Sequence, residues 1–333
     1  MPPLQHVTDS TQLIRWGVIG PGRAGARFAE GMAAVADAQL DAVWGRNREK
    51  TAAFASKFGV GQVAESLTEL GSSKVDAVYV ATHADSHADL CIEMLAAGKH
   101  VMGEKPAALN ERELARVLAV ARRCDRLFME AMKPPFFPLY KKLRAYLKTD
   151  PIGPVGFVRA GHLDATRPPE YPLFYPELAG GSIMGIGPYE AFLALDWLGA
   201  LKRVQTMGRV GAVGVDMLAL IQTEHEHGMA QLHTGLDLLS KGDALLSGPR
   251  GYVVLHANWW NPQRATIYHL DGRVVELDAP FIAGGFNYET EHFCQLIRGG
   301  LRESPVVSHE LSLGMARMLE AARLELGVQF PGE

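Results

Sequence analysis

The chain has 333 residues, 47% of them hydrophobic and 21% charged, with a formal net charge of −4, a length that suits two domains better than one compact α/β unit. Lys and Arg are not clustered as a nucleic-acid surface requires, and Cys91, Cys124 and Cys294 lie too far apart in sequence to suggest a disulfide framework or a zinc site, so no metal is expected. No apolar run reaches the roughly 20 residues of a membrane span, and the first 12 residues lack a basic stretch followed by an apolar one, so the expectation is a cytoplasmic protein with no membrane or nucleic-acid partner.

Residues 14–20 read as a short buried strand that runs directly into Gly20-Pro21-Gly22-Arg23-Ala24-Gly25. A helix over 23–36 follows, then a strand over 40–44 and a helix over 48–58, the latter from the spacing of Ala52, Phe54, Ala55 and Phe58. Residues 75–81 form a β-branched strand and 84–97 a helix closed by Gly98. A strand at 101–102, a helix over 111–123 capped by Asn110 and a strand over 127–131 complete this half. Strand and helix alternate throughout, which predicts a parallel sheet with right-handed crossovers.

The rhythm changes after Pro134-Pro135 and Pro138. A helix is expected over 139–147, a strand over 155–161, a proline-rich loop, and one apolar helix over 182–197. Strands then follow one another at 216–223, 230–234, 251–256, 266–269 and 274–277, with Asp271-Gly272 as a hairpin signal. Helices over 287–298 and 308–326 end the chain. The predicted fold is therefore α/β: a doubly wound Rossmann domain over residues 1–131, then an α+β domain over 132–333 with a mostly antiparallel open sheet.

The glycine turn points to a dinucleotide. Gly20 permits the tight strand-to-helix turn, Gly22 lets backbone approach a pyrophosphate, and Gly25 allows close helix packing, while the helix N-terminus supplies amides and partial positive charge. The second strand ends in Trp44-Gly45-Arg46-Asn47-Arg48, with no acid to meet a ribose 2′-hydroxyl. Arg46, or Arg48, instead suits a 2′-phosphate, so NADP is favoured over NAD. Glu104-Lys105-Pro106 places a lysine where a strand ends, pointing into the crevice that would hold nicotinamide.

These segments resemble the Gfo/Idh/MocA family of oxidoreductases over nearly the whole chain. The resemblance rests on the stretch from Trp16 to Arg23, Ala81-Thr82 with Ser86-His87-Ala88, the run from Ala97 to Pro106, Glu130-Ala131 with Phe136-Phe137-Pro138, and the run from Pro176 to Tyr189. The ending Gly327-Val328-Gln329-Phe330-Pro331 is similar to the branch containing dimeric dihydrodiol dehydrogenases and glucose–fructose oxidoreductase. It implies hydride transfer between NAD(P) and a hydroxyl-bearing carbon of a sugar or cyclic diol, and a homodimer or homotetramer built on the C-terminal sheet.

Carried over position by position, the resemblance makes Lys105 and Tyr189 the catalytic pair. The lysine ammonium is expected to lower the tyrosine pKa from ~10. Thr82, His83, His87 and Glu104 join the glycine turn as cofactor residues, and His87 either touches the nicotinamide ribose or caps its helix. Lys133, His162, Asp164 and Gly185 are the substrate candidates. Many members carry an acid where this chain has Gly185, on the expected helical face of Tyr189, and an aromatic and an arginine around Lys133. These departures leave two alternatives: a changed, anionic or keto/amino substrate with Lys133 or Arg167 as its partner, or a cofactor-binding sensor without turnover. His225-Glu226-His227 reads as an exposed hairpin turn rather than a metal pair.

Overall fold

The computed structural model describes residues 12–331. In the first half the elements run β1 (Ile14–Ile19), α1 (Arg23–Met32), β2 (Ala38–Trp44), α2 (Arg48–Phe58), β3 (Gln62–Val63), α3 (Leu67–Ser72), β4 (Ala77–Val80), α4 (His87–Ala96), β5 (His100–Gly103), α5 (Glu111–Arg123) and β6 (Phe128–Glu130). The strands form one parallel sheet in the order β3-β2-β1-β4-β5-β6. Strand order reverses between β1 and β4, and the crevice at their C-terminal ends is where such sheets bind ligands. The caps follow sequence rules: Asn47, Ser66 and Asn110 each accept a backbone N–H from the first turn of the helix they start.

The second half contains α6 (Pro138–Thr149), β7 (Phe157–Leu163), α7 (Ser182–Gly185), α8 (Gly187–Leu198), β8 (Leu201–Val210), β9 (Asp216–His225), β10 (Met229–Gly235), β11 (Ala244–Gly248), β12 (Gly251–Leu255), β13 (Arg264–His269), β14 (Val274–Asp278), α9 (Phe286–Arg298) and α10 (His309–Glu325). Eight strands make a second sheet, β14-β13-β12-β11-β7-β10-β9-β8, antiparallel except where β10 meets β7. One face of this sheet is covered by α8, which packs on β7 and β10. The last two helices return to the first sheet, α9 against α1 and α10 against α5. Gly31 makes that return close, since a Cβ there would lie 2.6 Å from the Cβ of Phe286. Trp16, Phe28 and Phe293 are in ring contact at this seam, and Phe28 stacks on Tyr79 at 4.0 Å.

Four expectations need correction. The alanine-rich segment after α1 carries no stop signal, and the helix ends at Met32 rather than at 36. Three strands, β3, β8 and β11, were absent from the expected set. The apolar helix expected over 182–197 is two helices that meet at Ile186, and the segment Pro176–Gly185 is bent by 44° from Gly187–Leu198. Pro188 explains the break, because it has no N–H to give Met184 and its ring crowds the preceding turn. Finally, His225 is buried, with its ring nitrogens against Thr223 Oγ1 and the Gly199 carbonyl, rather than in an exposed turn. Among the described residues no single helix is long and apolar enough to cross a membrane, and no group of metal-ligating side chains is found.

Candidate active site

The glycine turn sits at the β1/β4 reversal. Gly20 has φ +100, and a Cβ there would meet the Ala81 carbonyl oxygen at 2.6 Å. A Cβ on Gly25 would meet the Gly20 carbonyl oxygen at 2.4 Å, whereas one on Gly22 would meet nothing within 4 Å. Two glycines are therefore demanded by packing and the third faces open space. Pro21 lies against Gly45, where a Cβ would come within 2.5 Å of the proline ring. Gly22 caps α1 without a side-chain acceptor, and the first turn, with Arg23 and Ala24, contains no acid. Amides uncapped by the protein beside an open approach fit a pyrophosphate.

Beyond β2, a cavity of about 270 Å³ is lined by Trp44, Gly45, Arg46, Arg48 and Thr51 among others. Arg48 pairs with Glu65. Arg46 is exposed and makes no hydrogen bond or ion pair among the described residues. Of the two arginines, the pairing leaves Arg46 available to an incoming anion.

On the other side of the glycine turn the expected cofactor residues divide. Thr82 shares a hydrogen bond with Ser86 at 2.8 Å. His83 has a buried Nδ1 with no partner, and burial lowers its pKa. His87 neither caps its helix nor faces the crevice: its ring is buried, with Nδ1 2.8 Å from the Pro106 carbonyl and Nε2 3.1 Å from that of Thr82. Its ring sits between the β4 loop and the β5 loop, and its N–H donates to one of these two backbone carbonyls. Glu104 also turns inward, accepting from the Tyr79 hydroxyl and from the Lys105 amide.

Lys105 is brought to Tyr189 by the break at Ile186. In a continuous helix the Gly185 carbonyl would accept the Tyr189 amide, but that amide goes to Ile186 at 3.2 Å instead. The freed Gly185 oxygen accepts the Lys105 ammonium at 2.8 Å, and the same Nζ lies 4.7 Å from the Tyr189 ring centroid. This corrects the expectation that positions 185 and 189 share a helical face. It also supplies a polar group where the sequence seemed to lack one. Asp216 fixes the turn from below, accepting from Ser182 Oγ at 2.6 Å and from the Ile183 amide at 2.8 Å. Burial pushes that carboxyl up to about 6.

A Cβ on Gly185 would meet Leu173 Cδ1 at 2.4 Å and Cδ2 at 2.5 Å, the far end of a half-buried side chain that can turn aside. Gly185→Ala should therefore cost less than about 1 kcal/mol, below the usual range for overpacking. The denaturant midpoint reads this; a midpoint lowered by much more would mean that Leu173 cannot yield.

Tyr189 departs from expectation in its chemistry. Burial, followed by the carboxylates of Glu104, Glu289 and Glu190, raises its pKa well above the usual phenol. Its hydroxyl is held as a phenol, whereas the sequence reading had it lowered by Lys105. Lys105 itself is shifted down by burial, against which Glu104 and Glu190 act in the opposite direction.

The substrate candidates scatter. His162 on β7 stacks on Trp260 at 3.9 Å between ring centroids, and burial lowers its pKa to about 4. Asp164 is consumed by Thr166 and by Arg167 at 2.7 Å, so it is not presented to a ligand. Lys133 is buried, donates to Asn261 Oδ1 at 3.1 Å and lies over the Phe286 ring, which withdraws it from the cleft. Three buried acids were missed from sequence: Glu130, which accepts the Ala107 amide at 2.9 Å, Glu190 and Glu289. For Glu190 a signal existed, an acid inside an otherwise apolar helix next to Tyr189.

Residues 14–132 match the family described as an oxidoreductase family with an NAD-binding Rossmann fold. Over 329 residues the chain is 32% identical to scyllo-inositol 2-dehydrogenase (NADP(+)) of Bacillus subtilis, with 96% of this chain and 99% of the relative covered. It is 29% identical over 332 residues to trans-1,2-dihydrobenzene-1,2-diol dehydrogenase of Xenopus tropicalis, covering 95% and 99%. A solved 3-ketoreductase from Actinomadura kijaniata in complex with NADP and TDP-benzene superposes with a TM-score of 0.83 at 25% identity, covering 94% of this chain and 98% of that one.

Proposed function

Because the chain belongs to the Gfo/Idh/MocA family of NAD(P)-dependent oxidoreductases acting on CH–OH groups, we propose that it is an NADP-preferring dehydrogenase or reductase of a cyclic polyol or sugar-like substrate, with Lys105 and Tyr189 as its catalytic pair. The observation that carries this reading is the Lys105 ammonium, hydrogen-bonded to Gly185 and set over the Tyr189 ring from the other sheet. A nicotinamide bound in the crevice would supply the carbon that accepts or delivers hydride.

The protein's own part is oxygen and proton chemistry. In the reducing direction Tyr189, held as a phenol by burial, donates its proton to the substrate oxygen. Lys105 then stabilises the phenolate and, by pointing at the same oxygen, orients the carbonyl carbon. In the oxidising direction the same proton returns to Tyr189. The amides at the start of α1 would hold the pyrophosphate, and the ring pair of His162 and Trp260 offers a flat wall to a cyclic substrate. The exposed Met207 and Leu220 of β8 and β9 supply an apolar sheet face that suits a homo-oligomer.

The NADP preference draws support from the missing acid after β2, from the free guanidinium of Arg46 and from the cofactor in the inositol dehydrogenase's name. Arg46→Ala should raise the dissociation constant for NADPH by roughly 10- to 100-fold, the worth of a charge-assisted contact of about 1.5–3 kcal/mol, and leave NADH nearly unchanged. Equal effects on the two cofactors would sink the 2′-phosphate role. The reaction class is tested by a panel of inositols, sugars and cyclic diols with NADP⁺, followed as NADPH absorbance; no turnover on any polyol would count against the substrate class.

A further inference from the structure

The strand end that carries the lysine leaves its sheet one residue too early to place it. The ladder runs as far as Glu104, whose amide donates to the Val80 carbonyl at 2.8 Å. The Lys105 amide then goes to Glu104 Oε2 at 3.1 Å, and Pro106 has no N–H. The Ala107 amide goes to Glu130 Oε1 at 2.9 Å. The amide donors of this segment are therefore met by carboxyl groups and not by a neighbouring strand. Glu104 grips only the residue beside it. It fixes Lys105 in space only as far as its own carboxyl is held from outside.

Tyr79 holds it. The Tyr79 hydroxyl donates to Glu104 Oε1 and leaves Oε2 for the lysine amide. Burial, with Glu104 next, raises the phenol well above its usual range, so it keeps the proton that it donates. Its ring is fully buried on β4 and stacks on Phe28 at 4.0 Å, with 11° between the planes. Phe28 belongs to α1, the helix whose N-terminus faces the open approach beside Gly22. Packing alone does not ask for the hydroxyl. A phenylalanine would keep the stack and bring no buried polar atom to satisfy.

We propose that Tyr79 is a positioning residue for the reaction assigned above: through Glu104, its hydroxyl fixes the backbone from which Lys105 reaches Tyr189. The lysine is then held at both ends, its amide by Glu104 and its ammonium by the Gly185 carbonyl at 2.8 Å. The first end is anchored on the first sheet and α1, the second on the kink before the tyrosine. Rigidity at the first end matters for rate, because a misplacement of about 1 Å can cost on the order of 10²-fold.

This inference rests on the assignment of Lys105 as catalytic, and experiments on the full chain keep the two failures apart. Tyr79→Phe, which keeps the ring, should lower kcat about tenfold, with KM and the NADPH dissociation constant within about threefold of wild type. In a Glu104→Ala background the same change should lower kcat no further, since residues that act as one chain are not additive. An unchanged kcat in Tyr79→Phe overturns the proposal. So does the full loss recurring in the Glu104→Ala protein, or a loss that appears in NADPH affinity instead of kcat. A merely structural role would lower the melting temperature without this pattern. The second readout needs no turnover. With isotope-labelled lysine, the amide signal missing from Lys105→Met is that of residue 105. Its exchange with heavy water should be about tenfold faster in Tyr79→Phe than in the wild type, the scale of one weakened hydrogen bond. Equal exchange in the two proteins overturns the proposal. A wild type that turns over no polyol leaves this readout intact and counts against the assigned reaction instead.

Discussion

Lys105→Met should abolish turnover, by about 10³-fold or more, while NADPH binding stays within about tenfold. The ammonium is the group that reaches from the first sheet to the tyrosine of the second, 2.8 Å from the Gly185 oxygen and 4.7 Å from the Tyr189 ring centroid. General acid–base catalysis is typically worth about 10²–10⁴ in rate, and the lysine also orients the substrate oxygen. On the proposed reading the cofactor is held elsewhere, by the glycine turn and Arg46, so its affinity has no reason to collapse. Loss of the lysine strands the Gly185 carbonyl, a cost of about 1–3 kcal/mol. Removal of a buried charge offsets part of that cost, so the melting temperature should change little. Turnover at the wild-type rate in a folded Lys105→Met protein would refute the mechanism.

Tyr189→Phe should lower kcat by about 10²–10⁴ with KM altered much less, because the phenol proton matters in the transition state more than in binding. The pH dependence distinguishes the two residues. Burial and the fields of Glu104, Glu289 and Glu190 push the tyrosine up, so it keeps its proton through the neutral range. Lys105 is pushed down by burial, so it is the first of the two to discharge as pH rises. The fall of kcat/KM on the alkaline side therefore belongs to the lysine, and the residual activity of Tyr189→Phe should show the same alkaline fall. Its disappearance in that variant would assign the limb to the tyrosine instead.

Sequence reading recovered the elements whose burial imposes a pattern and missed those without one. Helices α2 and α5 were placed at their observed bounds, α2 from the spacing of its apolar residues and α5 with the help of Asn110, a cap whose preference is local. Strand β8 was missed since Leu201–Val210 lies at the sheet edge, largely exposed, and its polar residues leave no apolar alternation to read. Strand β3 is two residues long and exists through pairing with β2, which no local signal records. The break at Ile186 was readable in principle from Pro188, but a long apolar run outweighed one proline. At the site, the glycine turn, Arg46, Lys105 and Tyr189 were visible as residue types in known settings. What each side chain faces was not. His87, Glu104, Lys133 and Asp164 are polar residues near the crevice in sequence, yet each spends its groups inside the protein. Their partners come from segments 19, 25 and 128 positions away for the first three, distances over which periodicity carries no information.

The proline in the tyrosine helix also decides how firmly the lysine is moored. A backbone carbonyl is an uncharged acceptor, and a hydrogen bond to it is a looser tether than an ion pair with a carboxylate held in contact. On the proposed mechanism, moving the lysine from that mooring to a substrate oxygen would separate no contacting pair of buried charges. The kink in an apolar helix thus gives a lysine from the first sheet an acceptor beside the tyrosine packed on the second.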